Sequence, residues 1–193
     1  MRPGVRAFIA LELPQEIKTA LFELQDKLRA EGRDFVAWVR GEGIHLTLKF
    51  LGDVSEDQLP PIKDALAIIA QRGAPLSLEL SMTGLFPNPQ HLRVVWVGLA
   101  GDIAGLVNLQ QQIEQALIPL GFPTEARPFS AHLTLGRLKE TTAEAGRRFG
   151  QQVLALPVAR TSFQVRLLTL MQSQLNPHGA IYTTLAQFPL GGT

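Results

Sequence analysis

The tetrapeptide His-Leu-Thr-Leu occurs twice, at His45–Leu48 and at His132–Leu135, once in each half of the chain. The two copies hold two of the four histidines. Imidazole titrates near neutrality, so one histidine can take a proton from water while the other gives one to a leaving oxygen. The threonine beside each supplies a hydroxyl that donates to an anion. A phosphate is the natural guest: two such pairs across a cleft would stabilise a crowded phosphorane with positioned donors and a protonated imidazole, without a metal. No carboxylate or cysteine stands at ligand spacing from either histidine, so the pattern does not read as a zinc site. The plainer alternative is a pair of half-buried histidines whose threonines simply favour strands. The matched repetition argues against it.

The chemistry depends on strands. Side chains alternate along a strand, so His45 and Thr47 would share one face and Leu46 and Leu48 the other. The same parity holds for His132 and Thr134 against Leu133 and Leu135. Each strand would bury its leucines and offer an imidazole beside a hydroxyl. A repeat of this length suggests two related lobes rather than a solenoid.

The surrounding pattern supplies the frame. Strands are predicted at Val5–Leu13, Phe35–Arg40, Ile44–Leu51 (closed by a Gly52-Asp53 turn), Leu76–Gly84, Leu92–Leu99 and Phe129–Leu138. Two more follow at about Thr161–Met171 and Ala180–Gln187, flanking an Asn176-Pro177-His178-Gly179 turn. Helices are predicted from Pro14 to Gly32 on the spacing of Ile17, Leu21, Leu24 and Leu28, and from Ser55 with its Gln58 capping box to about Gln71. Two others run from Asp102 to about Leu120 and over Thr142–Leu154. Helices interspersed with paired strands favour an α+β fold with antiparallel sheets over a doubly wound parallel one. No Gly-x-Gly-x-x-Gly or P-loop follows a strand, so no nucleotide cofactor is expected.

Composition sets the outer bounds. The 193 residues are 46% hydrophobic with a net charge of +1, which excludes disorder and any global positive field for a long nucleic-acid backbone. The absence of cysteine removes disulfides, thiol nucleophiles and thiolate metal sites. No apolar run is long enough for a membrane span or a signal-peptide core, so a cytoplasmic protein is expected. One domain over residues 1–193, monomeric and without an evident protein partner, is the expectation.

The segments His45-Leu-Thr-Leu-Lys-Phe-Leu-Gly52 and Pro128-Phe-Ser-Ala-His-Leu-Thr-Leu-Gly-Arg137 resemble the two H-x-T-x signatures of the 2H phosphoesterases. The chain is most similar to the bacterial and archaeal RNA 2′,3′-cyclic phosphodiesterases, also called 2′-5′ RNA ligases. Arg6–Pro14, Val94–Leu99 and Gly179–Tyr182 resemble that family's opening, middle and closing strands. The resemblance implies a bilobal fold, two antiparallel sheets of pseudo-twofold symmetry around a cleft, with helices outside. It implies metal-independent hydrolysis of RNA 2′,3′-cyclic phosphate ends to 2′-phosphates, and ATP-independent 2′-5′ ligation in reverse. Carried over, His45 would be the proton donor to O3′, His132 the acceptor that activates water, and Thr47 and Thr134 the phosphate ligands. On chemical grounds alone the two histidines are interchangeable. The motifs fix the reacting group better than the rest of the substrate, so another small cyclic phosphate, or RNA-end binding without catalysis, stays open.

Other residues are weaker candidates. Arg137 would neutralise the phosphate, but in an unbroken strand it lies on the leucine face; it reaches the site only if the strand ends or bulges near Gly136. Lys49 shares the parity of His45 and would either extend the positive lining or end the strand in solvent. Phe8 and Tyr182 could stack on a base or belong to the core. His91 and His178 sit in loops without motif partners, and Arg147 and Arg148 read as a solvated helix face.

Overall fold

The computed structural model describes residues 4–32, 34–40, 43–88, 91–176 and 179–191. The strands are β1 (Val5–Leu11), β2 (Val36–Trp38), β3 (Leu46–Val54), β4 (Leu76–Phe86), β5 (Val94–Gly101), β6 (His132–Leu138), β7 (Ser162–Val165), β8 (Leu167–Asn176) and β9 (Gly179–Pro189). Four helices join them: α1 (Gln15–Gly32), α2 (Leu59–Arg72), α3 (Ile103–Leu117) and α4 (Ala143–Ala155).

The helices begin where the sequence provides caps. Ser55 and Gln58 form the expected capping box on the short 3-10 turn ahead of α2. The Asp102 and Thr142 side chains accept from the backbone N–H groups of Gly105 and Ala145 at the starts of α3 and α4. Along α1, Ile17, Leu21, Leu24 and Leu28 turn inward as their spacing predicts.

Every strand pairing is antiparallel, in two sheets. The first has the order β3-β1-β8-β9 and the second β2-β6-β5-β4-β7. The α+β expectation therefore holds, with one refinement: the sheets are not successive halves of the chain. The first is made from the two ends, the second mainly from the middle.

Several strand boundaries differ from the sequence reading by a few residues, and two differences are larger. Thr161–Met171 is two strands, because the chain leaves the second sheet after Val165 and enters the first at Leu167. Gly52-Asp53 is not a turn; β3 runs on to Val54, with Gly52 at φ 70 inside the strand. That left-handed conformation is one a glycine adopts without strain.

The leucine faces of both sheets and the inner faces of the helices share one continuous core. It includes Leu46 and Leu48 of the first motif and Leu133 and Leu135 of the second. The opposite face of the first sheet carries a small separate cluster, Phe8, Ala10 and Met171, with Tyr182 against it.

Candidate active site

Each motif strand carries the same irregularity at the same place. In β3, Ile9 pairs with Lys49 but Ala10 with Thr47, leaving Leu48 as an extra residue. In β6, Val95 pairs with Gly136 but Trp96 with Thr134, leaving Leu135 extra. A bulge at the fourth motif residue reverses the side-chain parity of the residues that follow it, in β3 as far as a second extra residue at Leu51.

The reversal settles the parity problem of Arg137. Gly136 falls on the core side and is buried, while Arg137, opposite Val94, turns to the face of His132 and Thr134. Glycine is required there for packing more than for backbone freedom: a Cβ on Gly136 would stand 2.7 Å from Val36 Cγ1. The α1 residue Gln25, itself buried, holds the bulge from behind by donating to the Leu135 carbonyl at 2.8 Å and the Val39 carbonyl at 2.7 Å.

The same reversal corrects both readings of Lys49. It neither lines the site nor ends in solvent: it is 3% exposed and lies on the helix side of β3. Its Nζ donates to Glu114 Oε2 at 2.6 Å and to the Pro123 carbonyl at 2.7 Å. Glu114 also accepts from Gln110 and from the backbone N–H of Glu125. A lysine can be buried only with such a partner, and this network ties β3 to α3 and to the segment leading towards His132.

The histidines occupy matching settings. His45 immediately precedes β3, and the Phe8 ring stacks on it at 4.7 Å with the Tyr182 edge at 4.9 Å. His132 opens β6, with the Phe86 edge at 4.9 Å and Trp96 at 6.3 Å. Each ring hydrogen-bonds the backbone two residues earlier, His45 to Gly43 and His132 to Ser130 at 2.8 Å. A carbonyl only accepts, so Nδ1 of His132 carries the hydrogen and Nε2 is left as a base.

Burial pushes the His45 pKa down to about 4; the Gly43 hydrogen bond opposes the shift and Lys18 adds to it. His132 is lowered too, first by burial and further by Arg137, against the pull of the Ser130 carbonyl. Both rings therefore favour the neutral form at pH 7. Thr47 and Thr134 are half-buried on the same faces, opposite Ala10 and Trp96. The strands β3 and β6 touch one another.

The two aromatic candidates differ in burial. Phe8 is 1% exposed and has no face left for a base. It packs against His45, as does the half-buried Tyr182. Phe86 and Trp96 pack against His132; the sequence reading missed them, having ended the strand before Phe86 at Gly84. Phe50 was missed as well: parity put it on the core side, and the bulge turns it to the cleft side opposite Phe8, 59% exposed.

The remaining candidates lie apart. His91 is exposed, its backbone N–H donating to the Asn88 side chain. Arg148 pairs with Glu31 of α1 at 2.7 Å and Arg147 is exposed on α4. His178 falls outside the described residues. Among the described residues no three His, Asp or Glu side chains gather as metal ligands. None of their helices is long and apolar enough to cross a membrane.

The chain belongs to a phosphoesterase family. The LigT-like phosphoesterase model matches twice in succession, over residues 11–96 and 97–182. The chain is 32% identical to the RNA 2′,3′-cyclic phosphodiesterase of Methanothermobacter thermautotrophicus, over 96% of this chain and 99% of that one. The crystal structure of a Thermus thermophilus protein superposes with a TM-score of 0.80 at 29% identity, covering 97% of this chain and 98% of that one. Escherichia coli LigT in complex with 3′-AMP gives a TM-score of 0.76 at 27% identity, covering 98% and 99%.

Proposed function

We propose that this protein hydrolyses RNA ends bearing a 2′,3′-cyclic phosphate to the 2′-phosphate, with His45 and His132 as its acid–base pair and no cofactor. The observation that carries the reading is the double occurrence of one device, a His-x-Thr face followed by a bulge, in a chain aligned end to end with a curated phosphodiesterase. The 3′-AMP held by Escherichia coli LigT is the kind of guest such a cleft takes.

The step follows from the groups present. Nε2 of His132 takes a proton from water as the water oxygen attacks phosphorus. The P–O3′ bond breaks and His45 delivers a proton to O3′, leaving a 2′-phosphate and a 3′-hydroxyl. Thr47 and Thr134 donate to the non-bridging oxygens, and Arg137 balances their charge. His45 must acquire its proton along with the substrate, because an adjacent anion favours the imidazolium that burial disfavours. In reverse, the same groups would join the cyclic end to a 5′-hydroxyl, giving a 2′-5′ linkage. The chain is read as one domain that acts as a cytoplasmic monomer.

The test is an oligonucleotide ending in a 2′,3′-cyclic phosphate, incubated with the protein in EDTA. A 2′-phosphate product is expected, with kcat reduced about 10²–10⁴-fold in His45→Ala and in His132→Ala. Turnover that EDTA abolishes would sink the acid–base scheme. Binding without turnover would leave an RNA-end binding module, and turnover only of small cyclic phosphates would reassign the substrate.

A further inference from the structure

Gln25 is out of place on the core face of α1. It is 0% exposed, an amide beside the leucines Leu21, Leu24 and Leu28 that the helix turns inward. Its Nε2 donates to two backbone carbonyls, Leu135 at 2.8 Å and Val39 at 2.7 Å. A carbonyl only accepts, so the NH2 end of the amide must point there. The Oε1 end is left buried with no partner among the described residues. A leucine in its place would avoid that cost. Local rules are broken where function requires it.

What the amide holds is the bulge of the second motif strand. β2 pairs with β6 from Val36 to Trp38, and the ladder ends where Trp38 stands opposite Gly136. Just past that end the Leu135 carbonyl accepts from the Val39 N–H at 2.9 Å as well as from Gln25, so both of its lone pairs are taken. Leu135 is the extra residue of the bulge. Two residues on stands Arg137, exposed, on the face of His132 and Thr134. An arginine side chain is long and flexible, and the backbone sets only the direction in which it leaves the strand. The bulge sets that direction, and Gln25 fixes the carbonyl at the bulge.

We propose that Gln25 is a positioning residue for Arg137: by locking the Leu135 bulge from α1, it aims the guanidinium at the phosphate. This rests on the RNA-end reading above and adds to it a residue that touches no substrate.

The experiment is a double-mutant cycle on KM for an oligonucleotide ending in a 2′,3′-cyclic phosphate. Gln25→Met keeps the length of the side chain and removes both donors. Alone it is expected to raise KM about three- to tenfold, approaching Arg137→Ala, with kcat little changed. Added to Arg137→Ala it is expected to raise KM no further, because the residue it aims is already gone. Without any substrate, the His132 titration followed by NMR should move upward in Gln25→Met as in Arg137→Ala, since Arg137 is one cause of its depression. Gln25→Leu repeats each measurement with a differently shaped side chain. Equal effects of Gln25→Met with and without Arg137, or an unchanged KM and His132 titration, would overturn the proposal and leave Gln25 a structural tie. Loss of the fold in both variants would overturn it too, by making Gln25 a requirement of the core. If wild type turns over no cyclic phosphate, the function reading has failed, and the His132 titration alone decides whether Gln25 aims Arg137.

Discussion

The two motif strands are the same for four residues and different for the next two. Both carry the histidine, the threonine and a leucine bulge; then one reads Lys49-Phe50 and the other Gly136-Arg137. Past the bulge, the inward residue is in one lobe a lysine locked to α3, in the other a glycine pressed against β2. The outward residue is in one lobe an apolar ring, in the other a cation. In the proposed reaction the shared part would handle the proton and the phosphate, which look alike from either side. The divergent part makes the two ends of a pseudo-symmetric cleft unlike.

The sharpest way to break this comparison is at the inward positions. Lys49→Met leaves Glu114 buried without its cation and is expected to destabilise the protein by about 3–5 kcal/mol, seen in chemical denaturation. Lys49→Met with Glu114→Leu should recover most of that stability, because an apolar pair of similar volume is tolerated. Activity should not recover with it, since the tie from β3 to Pro123 stays cut. A double variant restored in both stability and kcat would reduce the network to plain packing.

At the outward position, Arg137→Ala should raise KM for the cyclic phosphate by about tenfold, the worth of one charge-assisted hydrogen bond, with little change in Tm. It should also raise the pKa of His132, since Arg137 is one cause of its depression. An unchanged His132 titration would separate the arginine from the site.

The smallest effect compares the histidines themselves. By NMR, His45 should titrate near 4 in the free protein and His132 below its ordinary range, and added inorganic phosphate should move His45 upward. A histidine lowered in the folded state favours folding above its unfolded pKa, near 6.5, and that contribution is lost as pH falls towards 4. The fall in Tm over that window should be shallower in His45→Ala.

The repeated tetrapeptide, the α+β element order and three of the caps could be read directly from residues, because each rests on local spacing. The bulges could not. They arise from pairing between strands far apart in sequence, and one extra residue reverses the side chains that follow it. That is why Lys49 and Phe50 exchanged places, and why Arg137 could be placed only conditionally on Gly136. The change of sheet at Arg166 was hidden for a similar reason: Val165 and Leu167 continue one apolar alternation while serving different sheets.

The first sheet has a consequence in time. Its inner strand β1 lies between β3 and β8, so Phe8 meets Phe50 soon after synthesis but must wait for Met171. At roughly 5–20 residues per second a ribosome takes on the order of ten seconds to make the intervening chain. For that interval one edge of β1 is open, and the Tyr182 edge that packs against His45 has not been made. In the second sheet β4, β5 and β6 come from consecutive stretches, but β2 likewise waits for β6 and the edge strand β7 is made only just before β8. The central strands around His132 can therefore pair while the sheet that holds His45 is still half made, and the nascent chain covers the open edge of β1, with its hazard of edge-to-edge association, only when β8 arrives.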